Sequence, residues 1–305
     1  MCPLIIAHRG ASGYLPEHTL EAKRLAHEMG ADYLEQDVVA SRDDELIVLH
    51  DIHLDRVTDV ALRFPGRARD DGRYYVRDFD LAELRGLRAW ERMDAEGSAV
   101  FPGRYPAQRG DFRLNTLTEE IQFIQNLNSA TGREAGIYPE IKRPNWHRSE
   151  GVDIAPHLLS ILAKFGYESR EDPVYVQCFD AAELRRLRHD LGCRVKLVQL
   201  VGDTNYEETL TPGGLKQLAE TVDAIGPNIL HFFDGASFDG PAQANKLAEL
   251  AHDAGLAVHP YTFRADELPP GFATFEELVR TFIVDIGVDG LFTDFPDQAR
   301  ALVRY

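Results

Sequence analysis

Short apolar runs alternate with longer amphipathic segments along the whole chain, and this alternation restricts the possible folds more than any other feature. It is typical of repeated βα units, in which parallel strands lie side by side under a layer of helices. The runs predict eight strands, and their spacing favours an α/β fold of the TIM (β/α)8 barrel type over an open doubly wound sheet. The predicted strands are Leu4–Ala7, Tyr33–Val39, Ile137–Ile141, Val174–Cys178, Val195–Leu200, Ala224–Pro227, Ala257–Pro260 and Gly290–Thr293.

The amphipathic segments between these runs predict the helices. Several of them end at or just before a glycine, where a left-handed C-cap is favoured; these are Gly30, Gly166, Gly192, Gly255 and Gly287. The predicted helices are Thr19–Met29, Leu117–Ser129, Asp153–Phe165, Ala181–Leu191, Gly214–Val222, Pro241–Ala254 and Phe275–Ile286.

The regular spacing is interrupted after the second strand unit, because no strong helix signal follows Leu46–Leu49 until Thr116. We therefore interpret residues 1–305 as a single barrel domain that carries an insertion at 54–114, and unstructured segments of that length usually act as functional caps. The insertion holds 12 arginines and 11 acidic residues, a net charge of +1 that leaves −18 for the rest of the chain. This mixture is typical of an exposed surface, and an arginine-rich flap over an anionic ligand is the alternative.

The net charge of −17 argues against nucleic-acid binding, which needs a cationic face. Any phosphate site must reverse this field locally with a few arginines or lysines and a divalent cation. Three cysteines without metal-ligand spacing are expected to be free thiols. No apolar run approaches about 18 residues, so membrane insertion is not expected. The N-terminus lacks a signal-peptide pattern, which predicts a cytoplasmic protein, or a periplasmic one if a leader has been removed.

Polar residues with catalytic potential fall at the C-terminal ends of the first strand units, where TIM barrels carry their active sites. They are His8, Arg9, Glu35, Asp37, His50, Glu140 and Lys142. Because strand side chains alternate, Glu35 and Asp37 share one face of their strand, and Glu140 and Lys142 likewise share one face of theirs, so the three carboxylates would point together. Grouped carboxylates repel each other unless a cation lies among them or one binds a proton, and oxygen ligands favour Ca²⁺ or Mg²⁺, with Mn²⁺ as a further candidate.

Such a site suits a phosphodiester. Arg9 and Lys142 would cover phosphate oxygens, while the two histidines would serve as acid and base on opposite sides of phosphorus. Glu17 is placed to orient Arg9 or a histidine. Any one of these residues is more often a local hydrogen-bond partner than a catalyst, so the prediction depends on their convergence.

The order of short motifs is specific as a set. The segments are His-Arg-Gly-Ala-Ser-Gly-Tyr-Leu-Pro-Glu-His-Thr (8–19), Leu-Glu-Gln-Asp-Val (34–38), Val-Leu-His-Asp (48–51), Tyr-Pro-Glu-Ile-Lys (138–142), Gln-Cys-Phe-Asp (177–180), His-Pro-Tyr-Thr (259–262) and Gly-Leu-Phe-Thr-Asp-Phe-Pro (290–296). Over nearly the whole chain they resemble the glycerophosphodiester phosphodiesterase family, and the 56–75 stretch resembles most closely its bacterial periplasmic branch.

The resemblance implies a metal-dependent enzyme that hydrolyses glycerophosphodiesters, such as glycerophosphocholine and glycerophosphoethanolamine, to sn-glycerol 3-phosphate and an alcohol. It implies one divalent cation, Ca²⁺ before Mg²⁺. The implied roles are metal ligands at Glu35, Asp37 and Glu140, the acid/base pair at His8 and His50, and substrate contacts at Arg9, Glu17, Lys142, Gln177 and Tyr261. His18 is expected to be structural, Tyr261 stands where relatives carry a tryptophan, Phe179 and Phe295 are further candidate pocket walls, and Asp294 is expected to fix a turn.

Several alternatives stay open from the sequence. The nucleophile is either water or the glycerol 2-hydroxyl, which would first form a cyclic phosphate, and either histidine can be the acid. A related metal-dependent barrel phospholipase D would need an exposed apolar rim, and a catalytically silent binding protein would keep the barrel alone. The expected partner is a small phosphodiester, and the sequence gives no indication of oligomeric state.

Overall fold

Eight parallel strands form the barrel in the computed structural model, which describes residues 2–204, 206–233 and 244–303. Their hydrogen-bonded order is β8-β7-β6-β5-β4-β2-β1-β9, and the short β3 pairs antiparallel with β2. The strands are β1 Leu4–Ala7, β2 Tyr33–Ala40, β3 Leu46–Val48, β4 Gly136–Ile141, β5 Tyr175–Cys178, β6 Lys196–Val201, β7 Ala224–Pro227, β8 Ala257–Val258 and β9 Gly290–Thr293.

Hydrogen bonds just beyond β8 join the two ends of this sheet. The Phe292 N–H donates to the Pro260 carbonyl at 3.0 Å, and the Phe263 N–H donates to the Phe292 carbonyl at 2.8 Å. The predicted TIM barrel is therefore confirmed, and the predicted strands match the observed ones to within a few residues. Strand β8 is shorter than predicted because regular pairing with β7 stops at Val258.

Helices cover the outside of the barrel, and the predicted glycine caps all have positive φ angles, between 66° and 91°. The α-helices are α1 Leu20–Glu28, α2 Val60–Arg63, α3 Leu81–Arg85, α4 Leu117–Thr131, α5 Pro144–Ser149, α6 Ile154–Lys164, α7 Ala181–Arg185, α8 Tyr206–Thr209, α9 Pro212–Ala219, α10 Leu247–Asp253, α11 Phe275–Arg280 and α12 Pro296–Val303. Within the described ranges, no helix is both long enough and apolar enough to span a bilayer.

Helix boundaries depart from the predictions at a few places. The predicted Ala181–Leu191 and Phe275–Ile286 helices each end in a π-helical turn, Arg186–Asp190 and Thr281–Ile286. The predicted helix from Pro241 begins at Leu247, while residues 241–243 lie outside the described residues. Helices α5 and α12, of six and eight residues, were not among the predicted helices.

Apolar side chains fill the lower part of the barrel interior, and polar ones replace them toward the C-terminal ends of the strands. The buried interior cluster comprises Ile6, Tyr138, Tyr175, Val198, Ala224 and Phe292. Because successive side chains in a strand alternate, the next inward position after Ile6 is His8, and those after Tyr138 and Tyr175 are Glu140 and Gln177. The alternation thus turns an apolar core into a polar pocket one layer higher.

The insertion at 54–114 folds into short helices on the β2–β3 hairpin and has a small apolar core of its own. That core comprises Val39, Ile47, Leu49, Leu54, Val57, Val60, Tyr74, Val76, Phe79, Leu84 and Leu87. Several of its arginines pair with acidic residues at the surface, as Arg88 and Arg113 do with Asp111. These exposed pairs agree with the mixed-charge interpretation, and the cap-like role stays a prediction.

A buried ion pair ties the helices α1 and α4 to the strand β2. Lys23 and Glu120 are both fully buried, and Lys23 Nζ lies 2.9 Å from Glu120 Oε1. The same ammonium group donates to the backbone carbonyl of Glu35, one of the candidate metal ligands. Removing one partner of a buried pair leaves an uncompensated charge in the protein interior, which is strongly destabilising.

We expect Lys23→Met to lower the free energy of unfolding by about 3 kcal/mol, because Glu120 would remain buried without its counter-ion. Urea denaturation followed by circular dichroism measures this change. The double variant Lys23→Met/Glu120→Met should recover much of the loss, and Lys164→Met, on the exposed end of α6, is the matched control. Equal losses in the single and double variants would contradict a charge-based explanation.

Candidate active site

Three carboxylates meet at the C-terminal ends of β2 and β4. Glu35, Asp37 and Glu140 are each at most 5% exposed, and they can present oxygens that all lie within 4.8 Å of one another. They meet because Asp37 is paired with Glu140 in the sheet register. Burial raises the pKa of Glu35 and of Glu140, and the neighbouring charge of Asp37 adds to both shifts. The predicted metal ligands therefore form one buried acidic cluster.

Each carboxylate of the cluster is held by a nearby donor. Gln177 Nε2 donates to Glu35 Oε1 at 2.8 Å, and Lys142 Nζ lies 2.8 Å from Glu140 Oε1. His18 Nε2 lies 2.6 Å from Asp37 Oδ2. Burial and the charge of nearby Lys23 lower the pKa of His18 to about 4, so its ring is neutral at neutral pH and donates to the Asp37 carboxylate. Gln177 and His18 thus orient two of the three carboxylates.

Each of the two candidate catalytic histidines contacts an aspartate through its Nδ1 atom. His8 Nδ1 lies 2.6 Å from Asp294 Oδ1, and His50 Nδ1 lies 2.7 Å from Asp51 Oδ1. A carboxylate at Nδ1 assigns the proton to that nitrogen when the ring is neutral, which leaves Nε2 as the acceptor. His8 Nε2 lies 3.9 Å from Glu35 Oε2, so this imidazole is next to the acidic cluster.

Arg9 sits in a strained turn that directs its side chain into the site. Its φ angle is 58°, and Gly10 follows at 91°, where an added Cβ would lie 2.9 Å from the backbone of Ala22. Arg9 Nη1 donates to Glu17 Oε2 at 3.0 Å, and its backbone N–H donates to Glu35. The structure therefore brings Arg9, Glu17 and the acidic cluster together, as the sequence predicted.

Two adjoining cavities open at this end of the barrel. The inner one, about 150 Å³, is lined by His8, Arg9, Glu35, Asp37, His50, Glu140, Lys142, Gln177, Phe179, Leu200, Tyr261, Thr262, Arg264 and Phe292. The outer cleft, about 810 Å³, shares His50, Glu140, Lys142 and Phe179 and extends to Trp146. Every residue named from the sequence as catalytic, metal-binding or substrate-binding lines the inner cavity except Glu17, which lies behind Arg9. Phe295 lines neither cavity and packs edge-on against Tyr14.

Sequence reasoning missed the residues that stand behind the histidines. Asp294 was expected to fix a turn, but its carboxylate pairs with His8. Asp51 had a signal, since it follows His50 in the sequence. Arg92 and Arg104 contact Asp51 and Asp294, but nothing in the pattern of the insertion distinguishes them from its other arginines.

Glu91, in the insertion, is buried beside the site without a full set of partners. It is 4% exposed, and its Oε2 atom accepts no hydrogen bond. It lines a small cavity together with His8, Arg9, Ser12, Glu17, Phe101, Arg104, Arg264 and Asp294. Burial, with the nearby charge of Glu17, raises the pKa of Glu91 to about 7.

Comparison with known proteins finds relatives that match nearly the whole chain. The profile of the Glycerophosphoryl diester phosphodiesterase family matches residues 8–298. A glycerophosphodiester phosphodiesterase of Haemophilus influenzae is 42% identical over 96% of this chain and 88% of its own. A Silicibacter pomeroyi crystal structure superposes with a TM-score of 0.73 at 22% identity, covering 99% of this chain and 92% of that chain. An Oleispira antarctica phosphodiesterase, solved with its product sn-glycerol-3-phosphate, gives 0.65 at 20% identity and covers 99% and 97%.

The barrel fold together with the family profile defines an α/β-barrel enzyme of the phosphodiesterase class. The chain belongs to the glycerophosphoryl diester phosphodiesterase family, because the family profile covers nearly all of it and the Haemophilus influenzae relative is similar over almost its full length. The resemblance found in the motifs is confirmed. The alternative of a catalytically silent barrel is set aside, since the family and its relatives are phosphodiesterases.

Glu91→Gln should stabilise the protein in a pH-dependent way. The pKa of Glu91 is about 7 in the folded protein and 4.5 ordinarily, so between these pH values Glu91 is protonated in the folded state and ionised in the unfolded state. The stability that this proton gives the folded state is lost as the pH rises from 4.5 through 7. The groups around Glu91 are Glu17, Arg104, Asp294 and the Arg92 backbone. We expect the variant to gain on the order of 2 kcal/mol at pH 8 and much less at pH 5.

Urea unfolding at both pH values measures this difference. Glu96→Gln changes an exposed carboxylate in the same insertion and is the matched control. A gain of the same size at pH 5 and pH 8 would show that the titration of Glu91 is not its cause.

Proposed function

We propose that the enzyme hydrolyses small glycerophosphodiesters, with glycerophosphocholine and glycerophosphoethanolamine as representative substrates, to sn-glycerol 3-phosphate and the free alcohol. The reaction would use one divalent cation, Ca²⁺ in preference to Mg²⁺, and the acid/base pair His8 and His50. The observation that carries the proposal is the meeting of two aspartate-held histidines with a buried three-carboxylate cluster in one cavity. The product bound to the Oleispira antarctica phosphodiesterase is consistent with this chemistry.

The acidic cluster fits a hard divalent cation. Its donors are carboxylate oxygens, which Ca²⁺ and Mg²⁺ prefer, and its members are buried at a separation at which unneutralised charges repel. Burial raises the pKa of Glu35 and of Glu140, and the charge of Asp37 adds to both shifts. A bound cation would neutralise charge on a nonbridging phosphate oxygen.

Arg9 and Lys142 are the cationic side chains placed to contact the phosphate. Both line the inner cavity together with the acidic cluster, and Arg9 is fixed from behind by Glu17. Burial would raise the pKa of Glu17, but the charges of Arg9 and Arg92 hold it well below its usual range. Glu17 therefore stays ionised and keeps the Arg9 guanidinium in place, which leaves its remaining donors for substrate oxygens.

The surroundings of the two histidines favour different roles. Burial lowers the pKa of His50 to about 3, and the charges of Arg9 and Lys142 add to the shift, so His50 is a neutral imidazole that can accept a proton. His8 instead lies between the carboxylates of Asp294 and Glu35. We therefore assign His50 as the base and His8 as the acid.

In the proposed reaction His50 Nε2 takes the proton of the attacking hydroxyl as its oxygen bonds to phosphorus. The bond from phosphorus to the alcohol oxygen breaks, and His8 gives its proton to that oxygen. The same two residues serve whether the attacking hydroxyl is that of water or the substrate's own 2-hydroxyl.

The outer cleft is the place for the alcohol. Phe179, at 47% exposed, and Trp146 offer aromatic surface there, while Asp51 and Asp180 contribute negative charge. Aromatic faces and carboxylates together suit a cationic alcohol such as choline. The phospholipase D alternative needs an apolar rim, and the exposed large apolar side chains among the described residues are scattered, with Phe179 alone lining the cleft.

Release of sn-glycerol 3-phosphate from glycerophosphocholine tests the reaction. We expect turnover with Ca²⁺, less with Mg²⁺, and a loss of at least about 100-fold with chelator, in His8→Ala and in Glu140→Gln, because each removes a group that acts in the transition state. Glu134→Gln, an exposed carboxylate just before β4, should keep full activity. Undiminished turnover in chelator would refute the metal requirement.

An activated leaving group separates the acid from the base. The p-nitrophenyl ester of glycerol 3-phosphate releases a phenolate that needs no protonation, so His8→Ala should stay within about tenfold of the wild type on this ester. His50→Ala should lose at least about 100-fold on both substrates. If His50→Ala were rescued by the ester and His8→Ala were not, the two roles would be reversed.

A further inference from the structure

The two histidine-holding aspartates are built alike. In each aspartate, one carboxylate oxygen contacts a histidine, and the other accepts a hydrogen bond from an arginine of the insertion. Asp51 Oδ1 faces His50, while Asp51 Oδ2 accepts from Arg92 Nη1 at 2.6 Å. On the opposite side, Asp294 Oδ1 faces His8, and Asp294 Oδ2 accepts from Arg104 Nη2 at 2.7 Å.

The side chains of these two arginines are largely buried, and several of their N–H groups donate to carboxylates. The Arg92 side chain is 13% exposed, and its Nε and Nη2 atoms grip both oxygens of Glu17 at 2.9 and 2.6 Å. The Arg104 side chain is 4% exposed, grips Asp266 at 2.8 and 3.0 Å, and donates to the Ser12 carbonyl. Neither lines the cavity that holds the acidic cluster, so neither is placed to contact the phosphate.

We propose that the 54–114 insertion positions both histidines, with Arg92 acting on His50 through Asp51 and Arg104 acting on His8 through Asp294. This inference rests on the catalytic roles proposed above for the histidines. Arg92 and Arg104 are positioning residues, because each contacts a carboxylate and neither contacts a reacting atom.

A carboxylate that is hydrogen-bonded at only one oxygen can rotate about its bond to the Cβ atom, and the imidazole that is hydrogen-bonded to it then rotates as well. A second fixed oxygen sets the carboxylate plane and therefore the direction of the imidazole Nε2 atom. The arginines also keep both aspartates ionised: burial opposes ionisation, but the histidine and arginine partners lower the pKa of Asp51 and of Asp294. Arg264 gives Asp294 a further contact at 2.9 Å, so the Arg104 clamp is partly duplicated.

Crossed double-mutant cycles test the two connections. Arg92→Met and Arg104→Met are each measured in the wild type, in Asp51→Asn and in Asp294→Asn, as kcat and KM for glycerophosphocholine with Ca²⁺. We expect Arg92→Met to lower kcat by about 10- to 100-fold in the wild type and in Asp294→Asn, and by a clearly smaller factor in Asp51→Asn, where only its contact with Glu17 remains to be lost. Arg104→Met should lower kcat in the wild type and in Asp51→Asn, by a smaller factor than Arg92→Met does, and should have little effect in Asp294→Asn.

Arg85→Met is the matched control, because Arg85 lies in the same insertion but pairs with Glu119 at the surface, and its kcat should stay within about 2-fold of the wild type. Thermal unfolding of every variant checks that it is folded at the assay temperature. Equal factors for Arg92→Met in all three backgrounds would overturn the proposal, since they would mean a general structural effect.

A measurement that needs no turnover keeps this inference separate from the proposed function. In the full-length protein labelled with ¹⁵N-histidine, the proton on Nδ1 of His50 and its chemical shift report the contact with Asp51. We expect Arg92→Met to change the His50 signals and leave those of His8, and Arg104→Met to do the reverse. Unchanged signals in both variants would refute the positioning role, whereas a wild type that does not cleave glycerophosphodiesters would refute the proposed function alone.

Discussion

Repulsion among three buried carboxylates is the constraint on which the rest of this site depends. Glu35, Asp37 and Glu140 come together because β2 and β4 are adjacent and in register, so the fold itself forces the crowding. Nearby hydrogen-bond donors and positive charge offset this repulsion. They are the Gln177 side-chain amide, the Lys142 ammonium group and the Arg9 backbone N–H. The buried Lys23 adds a cation one layer behind the strand. The polar pocket is stable because these groups surround it.

Around this centre the protein separates two tasks. The barrel strands present the groups that would face the substrate, and the loops and the insertion fix those groups from behind. Glu17 shows the arrangement well, since it holds Arg9 on one side and is gripped by Arg92 on the other. A chain of salt bridges therefore runs from the insertion to the mouth of the barrel, and its members are partly buried, where such contacts are screened less by salt than at the surface.

Much of the fold and the inner site could be predicted from sequence, because both follow from periodicity. Short apolar runs located the strands, and alternation placed Glu35, Asp37 and Glu140 on the barrel interior. The supports could not be predicted in the same way. Asp294 meets His8 because β9 closes the ring against β1, which is a property of the whole sheet. Arg92 and Arg104 reach the site along a path set by the packing of the insertion's own small core.

The two histidine–aspartate pairs differ sharply in the length of chain that joins them. His50 and Asp51 are neighbours, whereas His8 and Asp294 are 286 residues apart and meet only across the β1–β9 contact. During synthesis, Asp294 is added to the chain 286 residues after His8, the residue that it supports. The pairing of β9 with β1 therefore both closes the ring and brings Asp294 to His8, and a chain truncated before β9 lacks this carboxylate.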